Sequence, residues 1–160
     1  MKNIHTINSK LLPYARARIW GVITDLSRYS AWWPSSLKIK TLHLSEGLLG
    51  SRIEIRPYGG QAFYCEVSGM DYGTELMMAY TGIYTGTGRW TISEGNGQRR
   101  VTYEIELKIE NTMIRLLSFV LPVASIHSHL MEKVLSGLGR YLEEIDEQAR
   151  LNIEEFDRLL

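Results

Sequence analysis

With 160 residues, 44% of them hydrophobic, the chain is long enough for one domain with a sizeable core and too short for two. Eighteen basic residues balance eighteen acidic ones, which gives no electrostatic reason to expect nucleic acid as a partner. The single cysteine, Cys65, cannot form an internal disulfide and suits a reducing compartment, so a cytoplasmic location is expected.

The opening residues Met1–Thr6 lack the apolar core of a signal peptide. Ile4 to Leu12 reads as a first strand of weak pattern. Pro13 suits the first turn of a helix, where its missing N–H costs nothing. Ala15, Ile19, Val22, Ile23 and Leu26 then share one side of a short amphipathic helix, with Asp25 near its end. Ser27 to Trp33 reads as a second short helix, stopped by Pro34.

Strands follow at Leu37–Leu44, Gly50–Pro57, Gln61–Met70, Thr74–Thr81 and Tyr84–Ser93. Pro57-Tyr58-Gly59-Gly60 and Glu94-Gly95-Asn96-Gly97 are turn sequences, the latter a hairpin signal. The last strand alternates strictly: Val101, Tyr103, Ile105, Leu107 and Ile109 on one face, Thr102, Glu104, Glu106 and Lys108 on the other. Such alternation means one packed face and one wet face. Seven strands joined by short connections imply an antiparallel sheet.

Asn111 or Thr112 can cap what comes next. A short helical turn is expected over residues 112–120, a break at Leu121-Pro122, and a main helix from Pro122 to about Gln148. Val120, Ala124, His127, Met131, Val134, Leu138, Tyr141 and Ile145 recur at spacings of three and four, one stripe of a helix. Leu130, Leu135 and Leu142 widen that stripe. Residues 149–160 keep helical spacing through Ile153, Phe156 and Leu160, and either continue the helix or dock elsewhere. The most lipophilic run, Met113–Ile126, contains Arg115 and Pro122 and falls short of the ~20 residues that span a bilayer.

Three motifs carry a family likeness. Ile19-Trp20-Gly21-Val22-Ile23-Thr24-Asp25-Leu26-Ser27-Arg28-Tyr29 runs into Trp32-Trp33-Pro34. Gly86-Thr87-Gly88-Arg89-Trp90-Thr91-Ile92 is a glycine-then-Arg-Trp strand. Gly137-Leu138-Gly139-Arg140-Tyr141-Leu142-Glu143 lies in the long helix. With the order of elements, these resemble the START-like, helix-grip superfamily, which includes Bet v 1-type allergens and polyketide cyclase/dehydratase-like proteins. The resemblance covers residues 3–148 and implies an α+β fold of order β-α-α-β6-α. A curved seven-stranded antiparallel sheet would wrap the long C-terminal helix and leave a cavity between them. Residues 1–148 would be a single START-like domain, with 149–160 a helical extension or tail.

On that fold, alternation turns Ile53, Ile55, Phe63, Cys65, Val67, Leu76, Met78, Tyr80, Tyr84, Trp90, Ile92, Tyr103, Ile105 and Leu107 inward. The helix adds Val120, Ala124, His127, Met131, Val134 and Leu138. Trp32 and Trp33 lie where the fold has an opening and are candidates for gating it or touching a membrane or partner. The candidate ligand-binding set is therefore Trp32, Trp33, Phe63, Met78, Tyr80, Tyr84, Trp90, Tyr103, Ile105, Val120, Ala124, His127, Met131, Val134 and Leu138. Gly86 and Gly88 either make room in this wall or mark a bend in the strand.

His127 is out of character on an apolar stripe. It is either a satisfied core histidine, bonded to a tyrosine or a carbonyl, or a group that orients a ligand or moves a proton. His129 points elsewhere, so the two histidines do not form a metal pair, and no metal or cofactor is implied. Asp25 reads as a helix-end residue.

Three functions follow from these expectations. In the first, the protein holds a hydrophobic small molecule (a lipid, quinone or polyketide-like compound) as carrier or sensor. In the second, it is a cyclase/dehydratase-type enzyme with His127, Tyr80 and Tyr103 as acid/base candidates. In the third, Trp32/Trp33 or the tail binds a protein partner. The sequence carries no signal of oligomeric state.

Overall fold

The computed structural model describes residues 3–117, 119–120 and 122–159. Its order is β1 (Asn3–Leu12), α1 (Arg16–Thr24), a 3-10 turn (Leu26–Arg28), α2 (Tyr29–Trp32), β2 (Leu37–His43), β3 (Arg52–Pro57), β4 (Phe63–Asp71), β5 (Glu75–Gly82), β6 (Tyr84–Gly95), β7 (Gln98–Ile109), α3 (Thr112–Leu117) and α4 (Val123–Leu159). The strands form one antiparallel sheet of order β1-β7-β6-β5-β4-β3-β2, so β1 and β2 are the two edges. The helices α1, α2 and α4 cover one face, as expected for the helix-grip fold.

The best-patterned strand sits where its pattern predicts. On β7, Val101, Tyr103, Ile105, Leu107 and Ile109 are all buried, and their neighbours are more exposed. The β6–β7 hairpin closes through Asn96 and Gly97, both at positive φ (50° and 75°), between the paired residues Gly95 and Gln98. That is the two-residue loop whose twist matches the flanking strands. Register keeps the whole inward set of β3 to β7 on the core side, with Tyr84 alone half-buried.

Three boundaries differ from expectation. Helix α1 begins at Arg16, not at Pro13. Pro13 instead follows the last pair of the β1 ladder, Leu12 with Arg99, and has no N–H with which to extend it. Helix α4 does not stop near Gln148 but runs on to Leu159, 37 residues in all, or about 55 Å at 1.5 Å per residue. Past Ile145 every described residue is exposed, including Leu151, Ile153 and Phe156. In the segment expected as a helical turn over 112–120, α3 ends at Leu117; Ser118 and Leu121 lie outside the described residues, as does Leu160. Asn111 is the cap of α3, its Oδ1 accepting the Ile114 N–H at 3.1 Å.

Where α2 and the middle of α4 meet the sheet the core is closely packed. Trp90 and Tyr103 stack face to face at 4.0 Å, and Trp32 meets Trp90 edge-on at 6.1 Å. Gly137 allows the helices to touch: a Cβ there would stand 1.9 Å from the Trp32 carbonyl oxygen. Val134, Leu138 and Leu142 on the same face are fully buried. Asp25 ends α1 and accepts a hydrogen bond from the Ser27 hydroxyl, which suits a helix-end residue.

Candidate functional site

A cavity of about 140 Å³ lies between the sheet and the first turns of α4. Phe63 on β4, Tyr80 on β5, Tyr84 on β6, and Tyr103, Ile105 and Leu107 on β7 form its floor. Ile4, Leu37 and Ile55 complete the sheet side. Val123, Ile126, His127, Leu130 and Met131 on α4 form the roof. Trp33 and the Pro57-Tyr58 turn complete the lining. A shallower groove of about 300 Å³ shares Tyr58, Ile126 and Leu130 with it and adds Ser36, Ser125, His129 and Lys133.

Eight of the expected ligand-binding residues line this cavity: Trp33, Phe63, Tyr80, Tyr84, Tyr103, Ile105, His127 and Met131. Met78, Trp90, Val134 and Leu138 are packed core instead, because α2 and the middle of α4 press onto the sheet there. Trp32 and Trp33 are no surface gate. They are 3% and 7% exposed, with Trp33 stacked on Tyr29 at 5.2 Å, and only Trp33 reaches the cavity. Val120 and Ala124 do not point inward. Val120 is 84% exposed in the connection before α4, and Ala124 is exposed on its first turn. The helical stripe cannot be extended backward through Pro122, because α4 starts only at Val123.

The glycines of β6 do not enlarge the cavity. A Cβ on Gly88 would stand 2.7 Å from the Tyr80 ring, so the glycine seats that ring. Gly86 has φ +148°, and a Cβ there would stand 2.0 Å from the Glu106 carbonyl oxygen. It marks close approach of β6 to β7, where only glycine fits.

The cavity's polar groups come in two sets. Tyr80 and Tyr103 share a hydrogen bond between their hydroxyls. Beside them the Cys65 thiol donates to Met78 Sδ at 3.6 Å. Burial raises the pKa of both phenols, and it pushes the thiol up to about 12. All three are neutral at physiological pH. In the second set, a 3.0 Å hydrogen bond joins Thr6 Oγ1 of β1 to His127 Nδ1, and Asn8 Nδ2 donates to Ser128 Oγ at 2.9 Å. His127 is thus satisfied by a threonine hydroxyl, not by a tyrosine or a carbonyl. Its Nε2 has no hydrogen-bond partner among the described residues. Burial lowers its pKa from 6.5 to about 4, which keeps the ring neutral at pH 7.

Among the described residues of the wall there is no Asp, Glu, Lys or Arg. Nor does any cluster of three His, Cys, Asp or Glu stand together among the described residues as a metal site would need. No described helix is long and apolar enough to cross a membrane.

Sequence reasoning missed Ile4, Leu37, Pro57, Tyr58, Val123, Ile126 and Leu130 as wall residues. Ile55 and Leu107 carried the signal, since alternation turned them inward. Tyr58 carried none: it sits in a turn at φ 52°.

Residues 12–125 match the family described as polyketide cyclase / dehydrase and lipid transport, and the chain belongs to that family. Among solved structures it is similar to TTHA0849 from Thermus thermophilus, with a TM-score of 0.73 and 15% identity over 88% of this chain and 98% of that one. It is also similar to a START superfamily protein from Mycobacterium smegmatis, with a TM-score of 0.69 and 12% identity over 88% and 98% of the two chains. A third is DynU16, a protein of the dynemicin biosynthetic locus, with a TM-score of 0.64 and 15% identity over 88% of this chain; the match spans 47% of DynU16. At these identities the likeness is one of fold. No curated protein matches the sequence.

Proposed function

We propose that the protein holds a hydrophobic small molecule in the cavity under α4, as a carrier or sensor. The observation that carries this reading is the wall itself: apolar and aromatic, free of ionised side chains among its described residues, and roofed by a helix. Membership of a family whose description includes lipid transport supports it. Met113, Leu116, Phe119 and Ile126 stand exposed around the start of α4, which favours brief contact with a membrane or a donor protein during loading. We read residues 1–148 as the binding domain and 149–160 as a helical extension outside it.

The test is native mass spectrometry of the protein as purified from its host, followed by solvent extraction. A retained apolar adduct is expected, and Leu130→Trp, which fills the roof of the cavity, should abolish it. A clean apo mass, together with failure to bind a fluorescent fatty-acid probe, overturns the reading.

The enzyme reading has one observation in its favour, the unpartnered His127 Nε2 on the cavity wall. Two observations weigh against it. The candidate tyrosines bond each other and not His127, and a histidine with a pKa near 4 is a weak base at pH 7. His127→Ala separates the two: it abolishes turnover in an enzyme and spares binding in a carrier.

A further inference from the structure

We infer that the end of the molecule around α3 and the start of α4 is a membrane-docking surface, which seats on a bilayer carrying anionic phospholipid with the mouth of the cavity turned toward the lipid. The inference rests on the carrier reading above and names the surface at which loading takes place. Its test uses no ligand, so each can fall without the other.

The first argument is what α3 turns outward. Ile114 packs against the core, and Asn111 both caps the helix and donates to Gln61 Oε1 at 2.7 Å, so the short helix is fixed in place. That placement leaves Met113 and Leu116, on one side of the helix, 72% and 63% exposed. Phe119 and Val120 follow at 74% and 84%, and Ile126 on α4 at 51%. Apolar side chains gathered in water in this way mark an interaction surface. Met113, Leu116, Phe119 and Val120 line neither the cavity nor the groove beside it, so they offer no slot to a shaped partner. A fluid acyl layer needs none.

Charge is the second argument. From Asn111 to Met131 the sequence carries Arg115 and no Asp or Glu. The carboxylates on either side of this run are engaged: Glu110 accepts from Thr85 Oγ1 at 2.8 Å, and Glu132 pairs with His129 at 3.6 Å. Lys133, in the groove wall, stands about 10 Å along α4 from Ile126. When apolar side chains sink about 5–10 Å into the boundary of a bilayer, a lysine at that height lies among the phosphates. The far end of α4 has the opposite sign. Seven of the 18 acidic residues lie between Glu143 and Asp157. An anionic surface attracts the first end and repels the second, which points α4 away from the bilayer.

Continuity is the third. Ile126 belongs at once to the exposed cluster, the groove and the cavity wall, and Tyr58 and Leu130 are shared by groove and cavity. An apolar molecule leaving the acyl layer therefore has an apolar path to the cavity.

The test is sedimentation of the full-length protein at pH 7 with vesicles of phosphatidylcholine alone, or of phosphatidylcholine and phosphatidylglycerol in equal parts. The mixed vesicles should bind at least about tenfold more tightly, and about 0.5 M salt should remove most of that preference. Leu116→Glu combined with Phe119→Glu, at two exposed positions and checked for folding by circular dichroism, should abolish binding to both. Lys133→Glu should weaken binding to the mixed vesicles several-fold and spare binding to the plain ones. The inference is overturned by no binding to mixed vesicles, by equal binding to the two compositions, by binding that survives the double substitution, or by a Lys133→Glu variant that keeps the full preference. It is also overturned by self-association without vesicles that the double substitution abolishes, since a second copy then covers the surface. All of these leave the carrier reading to its own test. Vesicle binding by a protein that retains no adduct and takes up no fatty-acid probe sinks the carrier reading and leaves the docking surface standing.

Discussion

The two ends of the contact between α4 and the sheet are built differently. Around Leu138 the helix is pressed home: Gly137 rides on the Trp32 carbonyl, and Val134, Leu138 and Leu142 are fully buried. Around His127 the same helix spans a hollow and is tied to the edge strand by side-chain hydrogen bonds, Thr6 to His127 and Asn8 to Ser128. Both ends face the same kind of inward residue, aromatic or branched, from the same strands. Core and cavity are therefore decided by how close the helix comes. A glycine sets the near approach, and bonded polar pairs hold the helix over the gap.

The largest effects should come from the packed end. Leu138→Ala removes a fully buried side chain with no room to collapse and should cost about 2–5 kcal/mol, read as a drop in urea midpoint. Leu130→Ala, on the cavity roof, should cost about 1 kcal/mol, because part of that side chain already faces open space. Equal losses would break the comparison.

Gly137→Ala comes next, at about 1–3 kcal/mol. On an exposed helix the change would gain up to about 1 kcal/mol in propensity, so a loss in the denaturation midpoint isolates the close contact with Trp32.

The hollow end should be sensitive to acid. The His127 pKa is about 4 when folded, against 6.5 ordinarily, so the unfolded chain binds the extra proton first. Stability is whole above about pH 6.5 and falls as pH drops toward about 4, by on the order of 3 kcal/mol in full. In His127→Gln, urea midpoints across that window should lose this slope. A slope that survives the substitution would place its cause elsewhere.

Smallest of all, deleting residues 149–160 should change the unfolding midpoint by no more than about 0.5 kcal/mol, since the described side chains there, 149–159, are all exposed.

The strands were legible because alternation on β7, and on β3 to β6, reports a face directly. The start of α4 was not legible. Periodicity counted back from His127 carries Ala124 and Val120 inward, but Pro122 resets the chain, and on the first turn Val123 and Ile126 face the cavity while Ala124 is exposed. β1 looks weakly patterned because two of its inward positions are Thr6 and Asn8, whose partners on α4 lie 121 and 120 residues away. Gly88 offered either room or a bend, whereas the Tyr80 ring leans onto it from the neighbouring pair, where Tyr80 stands opposite Gly86. The cavity's volume follows from the height of the helix above the sheet, which no residue type encodes.

The buried Cys65 thiol, bonded to Met78, gives the protein a clock. With its thiol buried and held at about 12, Cys65 should be blind to a disulfide reagent such as dithionitrobenzoate while the fold is closed. Once unfolded it reacts as an ordinary cysteine. The rate of colour development in native buffer therefore counts how often the molecule opens, and a compound that seals the cavity should slow it.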